Sequence, residues 1–512
     1  MLRALRHSLR LIAIARTLAR HDALFTLERL GIAPLAVALG RLAAARGQEG
    51  RPGQRLARGL VACGPSFIKL GQALATRADL LGEEIAADLS GLQDRLPPFS
   101  GTQAREAVED EFELPLATLF EHFDDTPVAA ASIAQVHFAR TSDGREVAVK
   151  VLRPGIEDEF EADLDLFRWV AELIERTRPA LRRLKPVAVV RTLAETVDLE
   201  MDLRFEAAAA TELADNFAGD PDFRVPEVDW ARTGRRVLTT ERLAGIRLDD
   251  RDALVAAGHD PLVVLEKAAR ASFRQVFRDG FFHADVHPGN LFVLPDGAIG
   301  AVDFGIMGRL DLKTRRALAE MLVAFLGRDY RRAAEVHFQA GWVPRHRSVE
   351  AFTQACRSIA EPIMDRPQNR ISIARLLGQL FQITETFQME AQPELLLVQK
   401  TMLVAEGTAR KLAPEANMWM LARPMMEDWV IDNLGPEARL RDAAQGLADA
   451  AERLPRMLDG IEAGTSMLAE GRVRLDPEMM REIQGTGGRG NALPAVWIVA
   501  ALLLFALFMT GD

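Results

Sequence analysis

The sequence predicts an α+β protein in which a small sheet near the middle of the chain sits inside a largely helical body. Three observations carry that prediction. Strand-like alternation is confined to a few short stretches, two of the joins between them have tight-hairpin chemistry, and the remainder repeats with a helical period. At 512 residues, 48% hydrophobic and 27% charged, the chain can bury more than one core, which excludes a disordered tail, a collagen or a disulfide-stapled miniprotein. Its two cysteines, Cys63 and Cys356, lie far apart and offer neither a disulfide framework nor zinc-ligand spacing, which fits a reducing compartment. A net charge of −10 opposes broad nucleic-acid binding, so no nucleic-acid partner is expected.

Taken in order, residues 1–20 place Arg3, Arg6, Arg10, Arg16 and Arg20 among Leu, Ile and Ala, with no acid before Asp22. That pattern is a basic amphipathic helix, which suits a membrane surface, a transit peptide or an ordinary solvated helix face. Strands follow at 134–140 and 146–152, joined through Asp143-Gly144, then at 236–240, and again at 291–294 and 299–302, joined through Pro295-Asp296-Gly297. Residues 195–212 read as an acidic helix. From 310 to 468 only helices are legible, with no internal repeat. Residues 485–491 (GTGGRGN) look like a flexible leash before 493–509 (LPAVWIVAALLLFALFM), which carries no charge. As a helix that run reaches roughly 26 Å, the low end of a bilayer core. A single membrane span is the simplest reading, with a buried terminal core helix as the alternative. Arg472, Arg474, Arg481 and Arg489 precede it and place the large body on the cytoplasmic side.

The strongest chemical signal is the run His283-Ala284-Asp285-Val286-His287-Pro288-Gly289-Asn290, followed by a hairpin and then Asp303-Phe304-Gly305. A hairpin leaves and returns at one end, so Asn290 and Asp303 should meet as two hard oxygen donors, as Mg²⁺ on nucleotide phosphates requires. Asp285, on the same loop, can receive or orient an attacking hydroxyl. Lys150 lies on the strand Val147-Ala148-Val149-Lys150-Val151 and is one of seven lysines against 56 arginines, placed to neutralise α- and β-phosphates. It needs a carboxylate to hold it, with Glu206 the first choice and Glu200 the second. After the next strand, Glu241-Arg242-Leu243 reads as a hinge whose backbone could meet an adenine edge. His287 is expected to hydrogen-bond loop backbone rather than to bind metal.

These parts, in this order, resemble the protein-kinase set of lysine strand, acidic helix, hinge, catalytic loop and Asp-Phe-Gly. Two departures narrow the subclass. Ala129-Ala130-Ala131-Ser132-Ile133-Ala134-Gln135 stands where a glycine-rich phosphate loop would be, and a helix follows Asp-Phe-Gly at once, with no Ala-Pro-Glu and little room for peptide docking. Phe67-Ile68-Lys69-Leu70-Gly71-Gln72, with Thr76 to Leu81 and Leu92-Gln93-Asp94 after it, is similar to the Lys-x-Gly-Gln extension of the UbiB family, atypical kinase-like proteins of ubiquinone biosynthesis. The alanine-rich loop matches a second hallmark of that family, and Glu200-Met201-Asp202 its Glu-x-Asp motif. Pro393-Glu394-Leu395 and the helix to Pro414 resemble the family's C-terminal part, so the likeness covers roughly residues 55 to 415.

The resemblance implies an atypical kinase-like fold: an N-terminal extension (1–115), an N-lobe (116–245), a catalytic C-lobe part (246–340), a helical region (341–484), a linker (485–492) and a transmembrane helix (493–509). It implies ATP or ADP with Mg²⁺ as cofactors. Lys150 and Glu206 would hold the nucleotide, together with the alanine-rich loop (Ala129 to Gln135), Glu241 and Leu243. Asp285 would be the catalytic acid/base and Asn290 and Asp303 the metal ligands. Lys69 and Gln72 would lie over the site, with Lys69 meeting Glu200 or Asp202, and would occlude a peptide. Its expected partners are membrane lipid, polyprenylated quinone precursors and other ubiquinone-biosynthesis proteins; a homodimer is admitted. The expected location is the bacterial inner membrane. A small-molecule kinase resembling the aminoglycoside phosphotransferases and a nucleotide-binding scaffold without catalysis are the rival readings. No flavin fingerprint or iron-ligand cluster supports hydroxylation of the polyprenylphenol ring.

Overall fold

In the computed structural model the described residues are 2–25, 49–75, 82–89, 92, 96–177, 182, 185–363, 379, 382–384, 386–389, 393–414, 416, 421, 423–426 and 429. All but the last lie in the first of two compact units, 1–426, the second being 427–512. The first unit opens with α1 (Leu2–Arg20), α2 (Pro52–Cys63), α3 (Pro65–Ala75), α4 (Glu83–Leu89), α5 (Gly101–Phe112) and the single turn α6 (Leu116–Leu119). Next come β1 (Phe120–Phe123), β2 (Ala129–Ala130), β3 (Ala134–Thr141), β4 (Glu146–Leu152), α7 (Ile156–Thr177), α8 (Pro186–Glu200), α9 (Leu203–Asn216), β5 (Phe223–Arg224), β6 (Val237–Glu241) and β7 (Ile246–Arg247). The remainder runs α10 (Arg251–Ala256), α11 (Pro261–Phe273), a π-helical turn (Arg274–Asp279), β8 (Phe281–His283), β9 (Leu291–Val293), β10 (Ile299–Ala301) and β11 (Met307–Arg309). Helices α12 (Leu312–Leu326), α13 (Tyr330–Gln339), α14 (Val349–Ala360) and α15 (Pro393–Leu412) complete it.

The first sheet has the order β1-β3-β4-β6, with β2 added along β3, and every pairing in it is antiparallel. Alternation decides its faces. Val147, Val149 and Val151 are almost fully buried and pack with Ala104, Ala107 and Val108 of α5, so Lys150 points to the opposite face. Both expected hairpins form, with Gly144 and Gly297 at φ 88° and 79°, conformations glycine takes without a Cβ clash. The second sheet, β5-β10-β9-β7, carries the β9–β10 hairpin, and β8 pairs with β11 beside it.

Two sequence expectations need correction, and one reading left open is narrowed. β1, β2, β5, β7, β8 and β11 were not foreseen, because two to four residues are too few for a period of two to register unless a hairpin turn marks them, as it does for β9 and β10. The acidic helix expected at 195–212 is two helices, since Asp202 accepts from the Arg204 N–H at 3.1 Å and caps a new helix there. The α1 stripe that would suit a membrane surface is already covered by protein: Ile14, Ala15, Leu18 and Ala19 are buried, and Gly59 of α2 allows Leu18 to approach. Arg10 and Arg6 reach Asp163 and Asp165 of α7 at 3.1 and 3.3 Å, so the basic side is also held by the body. Among the described residues no helix is long and apolar enough to cross a membrane; 493–509 lies outside them, as do 76–81 and 93–94.

Candidate nucleotide site

Lys150 extends from β4 toward the start of α9, where its Nζ donates to both carboxylate oxygens of Glu206 at 2.8 Å and to Asp303 Oδ1 at 3.0 Å. Glu206 lies in the first turn of α9 because Asp202 starts that helix, so the cap indirectly aims the carboxylate. Glu206 also accepts from the Phe304 N–H at 3.3 Å, tying α9 to the Asp-Phe-Gly turn. Burial works against the Lys150 charge, but Asp303 and Glu206 outweigh it and hold the ammonium above the ordinary lysine value. Burial pushes Glu206 up, partly offset by Lys150. Lys150 holds Asp303 down to about 2, so this carboxylate is anionic at neutral pH.

Asp303 has φ 64°, a left-handed conformation that a side-chain-bearing residue keeps only where its surroundings enforce it. The β9–β10 hairpin and Phe304, buried and beside His283, supply that enforcement. The Val302 N–H donates to the Asn290 carbonyl at 2.9 Å, which puts Asn290 and Asp303 at the same end of the hairpin. Asn290 Nδ2 donates to the Asp285 carbonyl at 3.1 Å, an assignment that leaves its amide oxygen as the available donor to a cation. The Asp303 side chain is 47% exposed. Two hard oxygens fit a magnesium ion that takes its other ligands from phosphate and water. Among the described residues no group of three or more His, Cys, Asp or Glu could hold a metal on protein ligands alone.

The catalytic loop is pinned by its two histidines. The Asp285 N–H donates to His283 Nδ1 at 3.1 Å, which leaves Nε2 to carry the proton toward the Val302 carbonyl at 3.2 Å. Burial holds His283 below the ordinary histidine value, in keeping with that neutral tautomer. Gln275, in the π-helical turn, accepts from the His283 N–H at 2.9 Å. His287 Nδ1 accepts from the Gly289 N–H at 3.1 Å, a loop-backbone contact as the sequence suggested.

Other expected nucleotide contacts are placed differently. Ala129 and Ala130 form β2, and the loop proper is Ala131 to Ile133. Arg153 clamps it: its guanidinium donates to the carbonyls of Ser132 and Ala131 at 3.3 Å and of Pro97 at 3.0 Å, while its N–H donates to Ile133 at 2.8 Å. Ala134 begins β3. Gln135 is buried and turned to the extension, exchanging hydrogen bonds with Phe99 N and O at 3.0 and 3.2 Å, so its amide is committed there rather than to a nucleotide. At the hinge, the N–H groups of Glu241 and Arg242 go to the Glu227 and Glu146 carbonyls at 2.8 and 3.1 Å. Leu243 packs beside Gly300 of β10.

In the extension, Lys69 Nζ meets Glu200 at 2.6 Å, both side chains being nearly buried. Asp202 instead pairs with Arg204 at 2.6 Å, because an adjacent guanidinium outcompetes a distant ammonium. Gln72 is half-buried one turn along from Lys69 and makes no hydrogen bond with another described residue. Gly71 is needed for close approach: a Cβ there would sit 2.7 Å from Leu60 of α2 and 2.6 Å from Leu92. Helix α3 packs on α7 and α8, which links it to the cleft through the α8–α9 junction. One residue was missed. Lys400 of α15 donates to Asp285 Oδ1 at 3.1 Å, from 115 positions downstream. The scarcity of lysine in an arginine-rich chain was the one signal that could have flagged it.

The ABC1 atypical kinase-like domain matches residues 91–337 and the UbiB helical domain matches 356–417. The chain is 40% identical over 462 residues to the probable protein kinase UbiB of Aeromonas salmonicida, covering 89% of this chain and 85% of that one. It is 44% identical over 409 residues to the protein of the same name from Marinobacter nauticus, covering 79% and 75%. A solved Mycobacterium tuberculosis protein in complex with erythromycin matches with a TM-score of 0.51 at 26% identity, over 69% of this chain and 90% of that one.

Proposed function

The chain belongs to the UbiB family of atypical kinase-like proteins of ubiquinone biosynthesis, and from that premise we propose that it turns over ATP in the cleft between β4, α9 and the Asp-Phe-Gly turn. The observation that carries this reading is Lys150 held by Glu206 and Asp303 at 2.8 and 3.0 Å. Lys150 neutralises α- and β-phosphate charge, Glu206 fixes the lysine, and Leu243 with the floor of β9 and β10 receives the base. Asn290 and Asp303 hold magnesium, which when bound offsets the charge building on the transferring group. Asp285 accepts the proton of the attacking hydroxyl or water as the new oxygen–phosphorus bond forms and the β,γ-bridging bond breaks.

The acceptor in this proposal is a polyprenylated phenol at a membrane, or water, with the enzymes that modify such phenols as partners. The absence of an Ala-Pro-Glu segment and the buried Lys69–Glu200 pair at 2.6 Å both support a cleft closed to polypeptides. The uncharged run 493–509 would tether the body to the inner membrane, and the arginines before it favour the cytoplasmic face. ATP turnover by purified protein with added lipid tests the reading: Asp285→Asn should lower kcat by about 10²-fold or more. Equal turnover in both proteins contradicts it.

A further inference from the structure

We infer that Lys400 is a positioning residue of the phosphoryl-transfer site, a side chain by which the UbiB helical domain contributes to the catalytic centre. The inference rests on the proposed ATP turnover and assigns that site a residue outside the kinase-like domain. Three observations carry it.

The backbone of Asp285 is fixed from several directions, by His283 Nδ1 on its N–H and by Asn290 Nδ2 and the His287 N–H on its carbonyl. Its carboxylate is not held that way. Among the described residues the partner of that carboxylate is Lys400 Nζ, at 3.1 Å. A general base must present a particular oxygen to the acceptor, and a carboxylate free to rotate about χ1 and χ2 loses part of that alignment.

The seat of Lys400 is rigid. On α15 it lies three residues after Leu397 and four before Val404, so the three share a face. Leu397 packs against the cluster of Phe282, Ala284 and Leu310 under the catalytic loop, and Val404 against the main core. Val398 is buried in the first of these clusters, and Leu412 at the helix end is fully buried, its carbonyl accepting from Arg251 Nε at 3.2 Å. The face carrying Lys400 is thus fastened to the loop it serves, and the ammonium reaches the cleft without the long excursion of a surface lysine.

Charge balance gives the residue a purpose. Lys150 is already committed to Glu206 and Asp303, so a second cation is what allows Asp285 to stay close to an incoming phosphoryl group. Lys400 is 45% and Asp285 35% exposed, so orientation rather than Coulomb energy is the larger part of the effect.

The test compares full-length wild type, Lys400→Ala, Lys400→Arg and Asp285→Asn in lipid, following ATP turnover and, without nucleotide, amide hydrogen exchange across 283–290. Lys400→Ala should lower kcat by about tenfold or more with KM for ATP changed less than about threefold, and should speed exchange of the loop. Lys400→Arg should recover a large part of both, and ethylammonium in the buffer should raise turnover of Lys400→Ala but not of Asp285→Asn. Unchanged kcat and exchange in Lys400→Ala overturn the inference while Asp285-dependent turnover in wild type leaves the enzyme reading intact. Turnover absent from wild type itself removes the enzyme reading, and then unaltered loop exchange in Lys400→Ala removes this one as well. Should Lys400→Ala fail to fold, Lys400→Arg and Lys400→Gln carry the comparison, and equal kcat in those two contradicts the inference.

Discussion

Lys150 satisfies two carboxylates at once, and each does something different. Glu206 is nearly buried and holds the ammonium still, while Asp303 is half open and can exchange the lysine for a cation. Glu206→Gln keeps the shape of the side chain but removes the charge that anchors Lys150, so the ammonium should swing to Asp303. Nucleotide affinity measured by fluorescence titration should fall by about tenfold, and undiminished affinity would show that Asp303 alone suffices. The Lys150–Glu206 contact was readable in sequence because a phosphate-binding lysine needs a carboxylate to hold it, and the acidic helix offered Glu206 first and Glu200 second. Sequence left Glu200 and Asp202 open as partners for Lys69, and the structure selects Glu200 because Asp202 is taken by the helix cap and Arg204. Lys400 escaped notice because no local pattern links it to Asp285.

At the scale of elements, the strands legible in sequence were those of five residues or more and the short pair β9 and β10 flanking a hairpin turn; the other strands of two to four residues were not, since alternation needs several repeats before it differs from chance. The hairpin bringing Asn290 and Asp303 to one end followed directly from Pro295-Asp296-Gly297. The alanine-rich loop lacks the glycines that would let its backbone flex, yet much of its order comes from Arg153, which no periodicity reveals. Its guanidinium holds three carbonyls and lies over the Phe99 ring at 5.3 Å, fastening the loop to the end of the N-terminal extension. Arg153→Ala should therefore speed hydrogen exchange at 129–134 by about tenfold or more while leaving β4 protected, because each lost hydrogen bond to a charged donor is worth about 1.5–3 kcal/mol. Exchange identical to wild type would mean that the alanines alone impose the stiffness.

Across the whole molecule, the extension, the two lobes and α15 share one large apolar cluster, from Ile14 of α1 through Leu152 and Leu203 to Leu412. The Lys-x-Gly-Gln helix is therefore part of the body rather than a loose cover, and Lys69–Glu200 joins it to the helix pair that aims Glu206. The uncharged run 493–509 has its own logic, legible in composition alone. Deleting residues 485–512 should move the protein from the membrane pellet to the supernatant on ultracentrifugation, since the apolar stripe of α1 is already occupied by protein. Retention in the pellet would assign the attachment to another surface.

Magnesium-dependent nucleotide binding, followed by titration calorimetry in wild type and Asp303→Asn, tests most directly whether a hairpin presents two oxygen donors to a phosphate-bound cation beside Lys150. Magnesium should strengthen nucleotide binding by about tenfold or more in wild type and by less than about twofold in Asp303→Asn. An equal magnesium gain in both proteins would contradict the account.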